Sequence, residues 1–250
     1  MTILPEELVE LIQTAPHVAA LTGAGVSAES GVPTFREAQT GLWAQYDPQQ
    51  LATPAAFQQN PRLVWEWYMW RRGLISAVTP NPGHLALVEL EKLVPQLTLI
   101  TQNVDGLHAQ AGSQNIIELH GNIMRTKCFA HNHPVNHWVE TEEAPPRCPQ
   151  CDSLLRPDVV WFGESLPAAA LHTAINAAQT ADLFFSIGTS ALVQPAASLP
   201  IEAMQNNVVT VEINLQATPI TPYVTHVLSG PAGEILPALL TAVKGSLSLT

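Results

Sequence analysis

The chain has 250 residues, of which 46% are hydrophobic and only 12% are charged, and its formal net charge is −11. This apolar content excludes an intrinsically disordered protein, and the length is sufficient to bury a substantial core. The acidic balance argues against DNA or RNA as the main partner, because binding to phosphate groups needs clustered Lys and Arg.

The first sixteen residues, MTILPEELVELIQTAP, place Leu at helical spacing between acidic residues. This pattern predicts an amphipathic surface helix rather than a signal peptide, which would have a basic start and a continuous apolar stretch. No apolar run in the sequence reaches the length of a membrane span, so we expect no membrane partner. Two of the three Cys form a C-x-x-C pair, which disfavours a disulfide framework and favours a reducing, cytoplasmic location.

Apolar strands alternate with helices along most of the chain. HVAALTGAGVS (17–27) is typical of a strand that runs into a Gly turn, and DLFFSIGTS, VVTVEIN and THVLSG are typical of buried strands. Further strands are predicted over 97–103 and 115–122, and helices over 82–94 and 168–181. This alternation predicts an α/β fold with a Rossmann-like parallel sheet covered on both faces.

Two segments depart from this pattern and predict a smaller inserted module. Residues 37–80 contain aromatic and Gln-rich helical pieces broken by Pro, and residues 123–157 are rich in His, Cys and Pro. We expect them to form a helical segment and a zinc-ribbon segment. The larger domain would then comprise residues 1–36, 81–122 and 158–250.

The first predicted strand ends in GAGVSA (23–28), which fits the pattern G-x-G-x-x-G/A. Gly lets backbone amides approach a pyrophosphate, although a plain connecting turn is the alternative. The acid that dehydrogenases carry about 20 residues further on would be Asp47, which lies in no strand. The ribose is therefore expected at later strand ends, which offer Gly188, Thr189, Ser190 and Asn214.

Polar residues also follow two other predicted strands. Asn103 and Asp105 lie in TQNVDGLH, and His120 lies in LHGN. A neutral imidazole accepts a proton near pH 7, so His120 is the candidate general base, with a satisfied structural His as the alternative. Asp105 could equally be a turn former, His108 is expected to start a helix, and His84 suggests no function.

The cysteine segment has zinc-ribbon spacing. Thiolates and an imidazole suit tetrahedral Zn²⁺, and a site with four protein ligands would be structural. A redox pair is the alternative, but no thioredoxin-like context surrounds it. The predicted ligands are Cys128, His131, Cys148 and Cys151, with His133 and His137 as rivals to His131.

The segment WEWYMWRRG (65–73) concentrates Trp and Arg. On a helix, Tyr68 and Arg71 are three residues apart and share a face. They could be an aromatic core residue and a surface guanidinium. Alternatively, a phenol and an Arg fork in an apolar pocket suit a short chain that ends in a carboxylate.

Taken in order, GAGVSAESGVPTFR, TQNVDGLH, HGN, CPQC, VVWFGE and GTS resemble the sirtuins, which are NAD-dependent protein lysine deacylases. The resemblance extends from about Ala19 to the C-terminal helix. It implies NAD as co-substrate, one structural Zn²⁺ and His120 as catalytic base. Sirtuins usually have Cys at all four zinc positions, whereas this chain has His131 at the second. Either the site is Cys₃His, which we favour, or metal binding is weakened and the segment is held by packing.

The resemblance also implies a reaction. The acyl-lysine oxygen attacks the nicotinamide ribose and expels nicotinamide, and the His helps a ribose hydroxyl attack the resulting imidate. Water then completes the release of free lysine and O-acyl-ADP-ribose. Asn103 and Asp105 would assist His120. We expect a monomer that acts on acylated lysine side chains of proteins.

Further residues are implied for the cofactor and the substrate. The implied cofactor contacts are Gly23, Ala24, Gly25, Ser27, Phe35, Arg36, Gln102, Asn103, Asp105, Gly188, Thr189, Ser190, Asn214 and Ala232. Arg36 has a loop-anchoring ion pair as its alternative role. The peptide would add as a strand beside VVWFGE (159–164), which implies substrate contacts by Val160, Trp161, Phe162, Gly163 and Glu164. A purely internal strand is the alternative.

The Tyr68-x-x-Arg71 spacing resembles class III sirtuins, in which this pair binds the carboxylate of succinyl, malonyl or glutaryl groups. The expected activity is therefore removal of succinyl and malonyl groups, with weaker deacetylation. Arg72 would point elsewhere and serve solubility or a local salt bridge. The alternatives are a deacetylase of the same family, an NAD-dependent oxidoreductase, and a non-catalytic binder of ADP-ribose or acyl-lysine.

Overall fold

The computed structural model describes residues 4–33, 47, 51–139 and 143–247, with only the backbone of residues 246 and 247. Phe35 and Arg36, two of the predicted cofactor contacts, lie outside the described residues. Within these ranges, the strands are β1 His17–Thr22, β2 Gln96–Thr101, β3 Ile116–Glu118, β4 Gly121–Cys128, β5 Leu155–Val159, β6 Leu183–Ile187, β7 Val209–Asn214 and β8 His226–Ser229. The helices are α1 Glu6–Thr14, α2 Ala24–Ala28, α3 Pro54–Gln59, α4 Pro61–Ser76, α5 Pro82–Leu93, α6 Leu107–Ala111, α7 Ala168–Thr180, α8 Leu199–Gln205 and α9 Ala232–Leu247.

The starts of α4 and α5 follow from local sequence. Asn60 precedes α4 and its side chain accepts a hydrogen bond from the amide of Leu63, while Asn81 caps α5 in the same way through two amides. Pro occupies the first turn of both helices, where the missing N–H costs nothing. Both helices are therefore fixed at their first residue by sequence alone.

The central sheet has six parallel strands in the order β3-β2-β1-β6-β7-β8. Thr22 at the end of β1 pairs with Thr101 of β2 and Ile187 of β6, so the carboxyl ends of these strands meet at one edge. The apolar runs of β1 and β6 are almost wholly buried because helices cover both faces of the sheet. The prediction of a Rossmann-like parallel sheet is confirmed.

The two faces of the sheet belong to different hydrophobic clusters. Ala20 packs with α1, α5 and α9, whereas its neighbours Ala19 and Leu21 pack with α7 and α8. This division follows from the strand geometry, because successive side chains point to opposite faces. The core thus holds the strand ends of the sheet in a fixed register.

A smaller group of elements packs beside this sheet. The strands β4 and β5 form an antiparallel pair, and the aromatic helix α4 packs against both of them. Trp67 and Tyr68 of α4 share a hydrophobic cluster with Phe57 and Trp161. The aromatic residues of 65–70 are therefore mainly the core of this group.

Arg72 differs from its predicted role. Its guanidinium donates hydrogen bonds to the carbonyl oxygens of Ile123 and Arg125 and to the hydroxyl of Thr126, at the irregular part of β4. Burial lowers its pKa to about 10. Arg72 does point away from Arg71, but it anchors a strand rather than serving solubility or a salt bridge.

The alternative of a purely internal strand over 159–164 is wrong beyond Val159, where β5 ends. The amides of Val160 and Phe162 donate to carbonyl oxygens in other parts of the chain, each at 2.9 Å. Trp161 between them is 1% exposed and belongs to the hydrophobic cluster around α4. The apolar character of Trp161 therefore reflects core packing, and addition of a peptide strand beside this segment stays a prediction.

Among the described residues, none of the helices combines the length and the apolar character that a membrane span requires.

Candidate active site

The Gly turn after β1 lies directly against the turn after β6. The amide of Gly25 donates to the carbonyl oxygen of Gly188 at 2.9 Å. A Cβ on Gly23 would lie 2.7 Å from that same oxygen, and one on Gly25 would lie 2.7 Å from the Gly188 Cα. Gly188 itself has φ +58. Only Gly allows this close approach, which leaves a turn lined by backbone, as a pyrophosphate site requires.

Ser27, Asn103 and Asp105 come together beside this turn. The Asn103 side-chain amide donates to the carbonyl oxygen of Gly23 at 3.0 Å and to Ser27 Oγ at 3.1 Å. Asp105 is 7% exposed and accepts a hydrogen bond from the amide of Leu107. Burial raises the pKa of Asp105, while the Leu107 amide and the Ser27 hydroxyl act in the opposite direction. Three of the predicted site residues are thus in one cluster.

His120 is held by the segment that follows β2. Its Nδ1 lies 3.1 Å from the carbonyl oxygen of Gln102. A carbonyl only accepts, so Nδ1 carries the proton and Nε2 is left as a proton acceptor. Burial lowers the pKa of His120, and the bond to Gln102 partly offsets this effect. The imidazole is therefore neutral near pH 7, as a general base must be.

His84 belongs to the same site, although the sequence suggested no function for it. It is fully buried, its Nε2 lies 3.5 Å from Ser27 Oγ, and its ring is 4.8 Å from the ring of His108. Asn81, the cap of α5, also donates to the carbonyl oxygen of Val26. One signal was available: His84 follows this Asn by three residues, where a side chain folds back onto the helix start.

The ends of β6 and β7 are joined by side chains that were predicted to contact the ribose. Thr189 is buried and its hydroxyl lies 3.1 Å from that of Ser186, while Asn214 donates to the carbonyl oxygen of Thr189 at 2.7 Å. Ser190 is exposed beside them. These contacts hold the loop after β6 in place, and Ser190 on its outer surface stays exposed.

Ala232, another predicted cofactor contact, is the first residue of α9 and is buried. The adjacent amide of Gly233 donates to the carboxylate of Glu29 at 2.8 Å. A carboxylate at a helix N-terminus accepts hydrogen bonds from the free amides of the helix and interacts favourably with the helix dipole. Glu29 lies just beyond α2, so this contact ties α9 to the Gly turn.

The aromatic helix supplies a second part of the site. Tyr68 is 4% exposed, and its hydroxyl accepts a hydrogen bond of 2.9 Å from Trp161 Nε1. Arg71 is 7% exposed, with its guanidinium 5.1 Å from the centre of the Trp67 ring. Burial lowers the pKa of Arg71, whereas the charges of Tyr68 and Asp105 raise it. The predicted pair is therefore a buried one, electrostatically coupled to the cluster at Asp105.

The metal-binding cluster contains His133 instead of the predicted His131. The ligand atoms of Cys128, His133 and Cys148 all lie within 4.8 Å of one another, and Cys151 Sγ is 3.5 Å from Cys128 Sγ. The amide of Cys128 donates to the carbonyl oxygen of His133 across a tight turn, which brings that ring to the thiols. His131 lies at the exposed tip of the turn.

This donor set fits Zn²⁺. Burial raises the pKa of Cys148, but hydrogen bonds from the amides of Gln150 and Cys151 and from the His133 ring bring it to about 7. A thiol that ionises near neutral pH is a good zinc ligand. Three thiols and one imidazole would complete a tetrahedral site. The prediction of a Cys₃His donor set is therefore confirmed, but its imidazole comes from His133 and not from His131.

The model of the Sir2 family matches residues 23–195, which is more than half of the chain. The chain belongs to the Sir2 family. The matched range includes the Gly turn, the Ser27 cluster, His120, the aromatic helix and the cysteine cluster described above.

Relatives in the Sir2 family extend this likeness over nearly the whole chain. An NAD-dependent protein deacylase of Pyrococcus furiosus is 47% identical over 245 residues, which cover 95% of this chain and 97% of that protein. A crystal structure of a Sir2 homologue in complex with NAD is 46% identical, with a TM-score of 0.90 and coverage of 98% and 96%. A structure of Sir2 bound to acetylated peptide is 30% identical, with a TM-score of 0.83 and coverage of 98% and 100%.

The Sir2-family chain has the features that NAD needs. The backbone turn at Gly23, Gly25 and Gly188 leaves no room for a Cβ, and polar side chains surround it. A turn without side chains lets a pyrophosphate approach the backbone, and Ser27 and Asn103 offer polar groups that could bind a ribose or a carboxamide. The residues present therefore fit a dinucleotide.

Proposed function

We propose that this Sir2-family chain is an NAD-dependent protein lysine deacylase. The observation that carries this proposal is the hydrogen bond from His120 Nδ1 to Gln102, which leaves Nε2 as a proton acceptor. The next residue, Asn103, contacts the Gly turn. Two consecutive residues thus connect a candidate base to a candidate dinucleotide site.

The proposed roles follow from these contacts. Bound NAD would supply the sugar carbon that receives the acyl oxygen and the nicotinamide that leaves, and water would then complete the release of free lysine and O-acyl-ADP-ribose. His120 accepts a proton at Nε2. Ser27, Asn103 and Asp105 orient the dinucleotide, and the burial of Ser27 and Asp105 limits the access of water to the reacting atoms.

The test is nicotinamide release from NAD in the presence of an acyl-lysine peptide, followed by mass spectrometry. Wild type is expected to release nicotinamide only when the peptide is present, and to form O-acyl-ADP-ribose. His120→Ala should lose at least 100-fold of this activity, on the order of a missing general base. An NAD-dependent oxidoreductase would instead change the absorbance of the nicotinamide ring without releasing it.

The finer proposal concerns the acyl group: succinyl and malonyl groups are removed in preference to acetyl. Support comes from Tyr68 and Arg71, which are buried together on one face of the aromatic helix. A phenol and a guanidinium offer hydrogen-bond donors that match a carboxylate, and a buried positive charge favours an anionic guest. An acetyl group carries no carboxylate for these donors to bind.

Arg71→Met tests this preference. We expect kcat/KM for succinyl-lysine peptide to fall by about 100-fold, since loss of a buried charge pair costs a few kcal/mol. The value for acetyl-lysine peptide should change by less than about threefold. Arg62→Met is the matched control, because Arg62 is on the same helix but its side chain is 69% exposed. Equal losses on both peptides would refute the carboxylate role.

We keep the remaining expectations as proposals. The reduced thiols of the cysteine cluster suit a zinc site and a reducing compartment, which supports a cytoplasmic location. The predicted domain division is supported by the separate hydrophobic clusters of the sheet and of the aromatic helix. We also propose that the enzyme is a monomer and that it acts on acylated lysine side chains of proteins.

A further inference from the structure

The indole of Trp161 and the phenol of Tyr68 form a directional hydrogen bond inside the core. Trp161 Nε1 lies 2.9 Å from Tyr68 Oη, and both residues are almost fully buried. An indole N–H can only donate, so the phenol oxygen is the acceptor. Among the residues that the structure describes, Trp161 is the hydrogen-bond partner of this hydroxyl. The phenolic proton is therefore left to be donated elsewhere.

The phenol keeps that proton throughout the working range of pH. Burial raises the pKa of Tyr68 to about 12, against the smaller lowering effects of Arg71 and of the Trp161 bond. Tyr68 and Arg71 lie one turn apart on the aromatic helix and influence each other's charge. A group placed between them would meet one O–H donor and one cation.

Trp161 is itself held from several sides. The guanidinium of Arg156 lies 3.3 Å from the centre of its ring, and the Phe57 ring is 5.2 Å away. Glu164 accepts hydrogen bonds from Arg156 and, at 2.8 Å, from the backbone amide of Trp161. Arg156 is 1% exposed. These contacts restrict the direction of the indole N–H, because rotation of the ring would break its contact with Arg156 and the backbone amide is bound to Glu164.

We propose that Trp161 is a positioning residue for acyl selection: its indole N–H holds the Tyr68 hydroxyl so that the phenolic proton is donated to the carboxylate of a bound dicarboxylic acyl group. This inference rests on the proposed preference for succinyl and malonyl groups. It assigns to Trp161 a role that acts through Tyr68. Without the indole donor, the phenol would be free to rotate its proton away from the guest or to accept a hydrogen bond from the guanidinium.

The test is a double-mutant cycle on two substrates. Trp161→Phe removes the N–H and keeps an aromatic ring, and Tyr68→Phe removes the hydroxyl. Trp161→Phe should raise KM for succinyl-lysine peptide roughly tenfold, with kcat changed much less, because the phenol loses the orientation in which it donates to the carboxylate. The effect on acetyl-lysine kinetics should be much smaller, since an acetyl group has no carboxylate for the phenol to bind. In the Tyr68→Phe background, Trp161→Phe should have no further effect on the succinyl-to-acetyl ratio.

Controls separate the possible outcomes. Trp65→Phe makes the same chemical change on the aromatic helix, at a residue that packs against the cysteine cluster, and should leave the ratio unchanged. Equal effects of Trp161→Phe on both substrates, or an undiminished effect in the Tyr68→Phe background, would overturn the inference while the acyl preference stands. If wild type shows no succinyl preference and Arg71→Met changes nothing, the proposed acyl preference falls, and this inference falls with it.

A second measurement covers the case in which Trp161→Phe does not fold. Wild type labelled with ¹⁵N at its indoles gives one N–H resonance that Tyr68→Phe shifts, and this resonance identifies Trp161. Succinyl-lysine peptide should shift the same resonance in wild type, because the phenol becomes polarised by the carboxylate, and acetyl-lysine peptide should shift it much less. The same response to both peptides would contradict the proposed role.

Discussion

Single residues decide the chemistry, and His120 shows how. Its role depends on one hydrogen bond to the Gln102 carbonyl, which selects the tautomer, and on burial, which keeps the ring neutral. The sequence could predict His120 because it follows an apolar strand. It could not predict the tautomer, because the partner carbonyl belongs to a different strand end and meets the ring only in the folded sheet.

The pH dependence of the reaction tests this account of His120. A general base works in its deprotonated form, so activity is lost as pH falls through its pKa in the folded enzyme. Burial lowers that pKa below its ordinary 6.5. The acid limb of log kcat/KM should therefore be centred below pH 6.5, with a slope of about one for one ionising group. A limb centred above pH 6.5 in the free enzyme would contradict the environment described for His120.

The metal cluster gives a prediction that separates two histidines two positions apart. His133→Ala should lower zinc content well below that of wild type and reduce thermal stability, because one of four ligands is lost. His131→Ala is the matched control, since His131 is exposed at the tip of the turn. Zinc content is measured on purified protein by mass spectrometry with an inductively coupled plasma. Zinc loss in His131→Ala, with retention in His133→Ala, would reverse the assignment.

At the scale of elements, the sequence predicted helices and strands better than the turns between them. The pattern of 82–94 gives a helix because Asn81 and Pro82 mark its start, and α5 begins there. The segment 160–164 contains apolar residues that are typical of a strand, but its Trp161 packs into a hydrophobic cluster formed by elements that are distant in sequence. Cys-x-x-His spacing suggested His131 for a similar reason: sequence distance does not reveal that the turn at Asn132, with φ 56, presents His133 to the thiols.

We expect opposite effects on stability when Ala replaces Gly188, in the turn after β6, and Gly73, in α4. Gly188→Ala would place a Cβ 2.6 Å from the Val26 amide nitrogen, at φ +58. We expect a loss of about 1–3 kcal/mol in unfolding free energy and weaker binding of NAD. Gly73→Ala lies in α4 with no neighbouring atom within 4 Å of the added Cβ. It should gain about 0.5–1 kcal/mol.

Urea denaturation and calorimetric titration with NAD measure both variants. Unchanged NAD affinity in a folded Gly188→Ala protein would show that the contact between the two Gly turns is not part of the cofactor site. Destabilisation by Gly73→Ala would show instead that the environment of α4 is more crowded than the structure describes.

At the scale of the whole molecule, buried histidines link stability to pH. Burial lowers the pKa of His84 to about 4, and burial together with the charge of His84 lowers that of His108 to about 3. In the unfolded chain both rings titrate near their ordinary 6.5. Between these pKa values the unfolded state binds more protons than the folded state. The contribution of the two rings to the free energy of unfolding is therefore complete above pH 6.5 and is lost as pH decreases below it.

Urea denaturation at pH 7.5 and pH 5 measures this effect. Each ring should contribute a loss on the order of 2 kcal/mol at pH 5. His84→Gln should reduce the difference between the two pH values, whereas His172→Gln, at an exposed position, should not. Equal stability of wild type at both pH values would contradict the buried, neutral state of the two rings.

The overall architecture was predictable because its signals are local and repeated, whereas the site required the folded chain. Apolar strands alternating with helices define the parallel sheet, and Gly marks the turn after β1. His84 and the Trp161 contact to Tyr68 were not predictable, because each depends on elements that are distant in sequence. The spacing of Asn81 and His84 predicts a capped helix start, but it does not predict the contact of His84 with Ser27.

The central claim is that one buried site joins NAD chemistry to recognition of an acyl carboxylate. Mass spectrometry of a single reaction containing NAD and equal amounts of succinyl-lysine and acetyl-lysine peptides tests it most directly. We predict nicotinamide, free lysine peptide and O-succinyl-ADP-ribose in clear excess over O-acetyl-ADP-ribose. Equal or greater formation of O-acetyl-ADP-ribose would contradict the acyl preference, and a failure to release nicotinamide with either peptide would contradict the account as a whole.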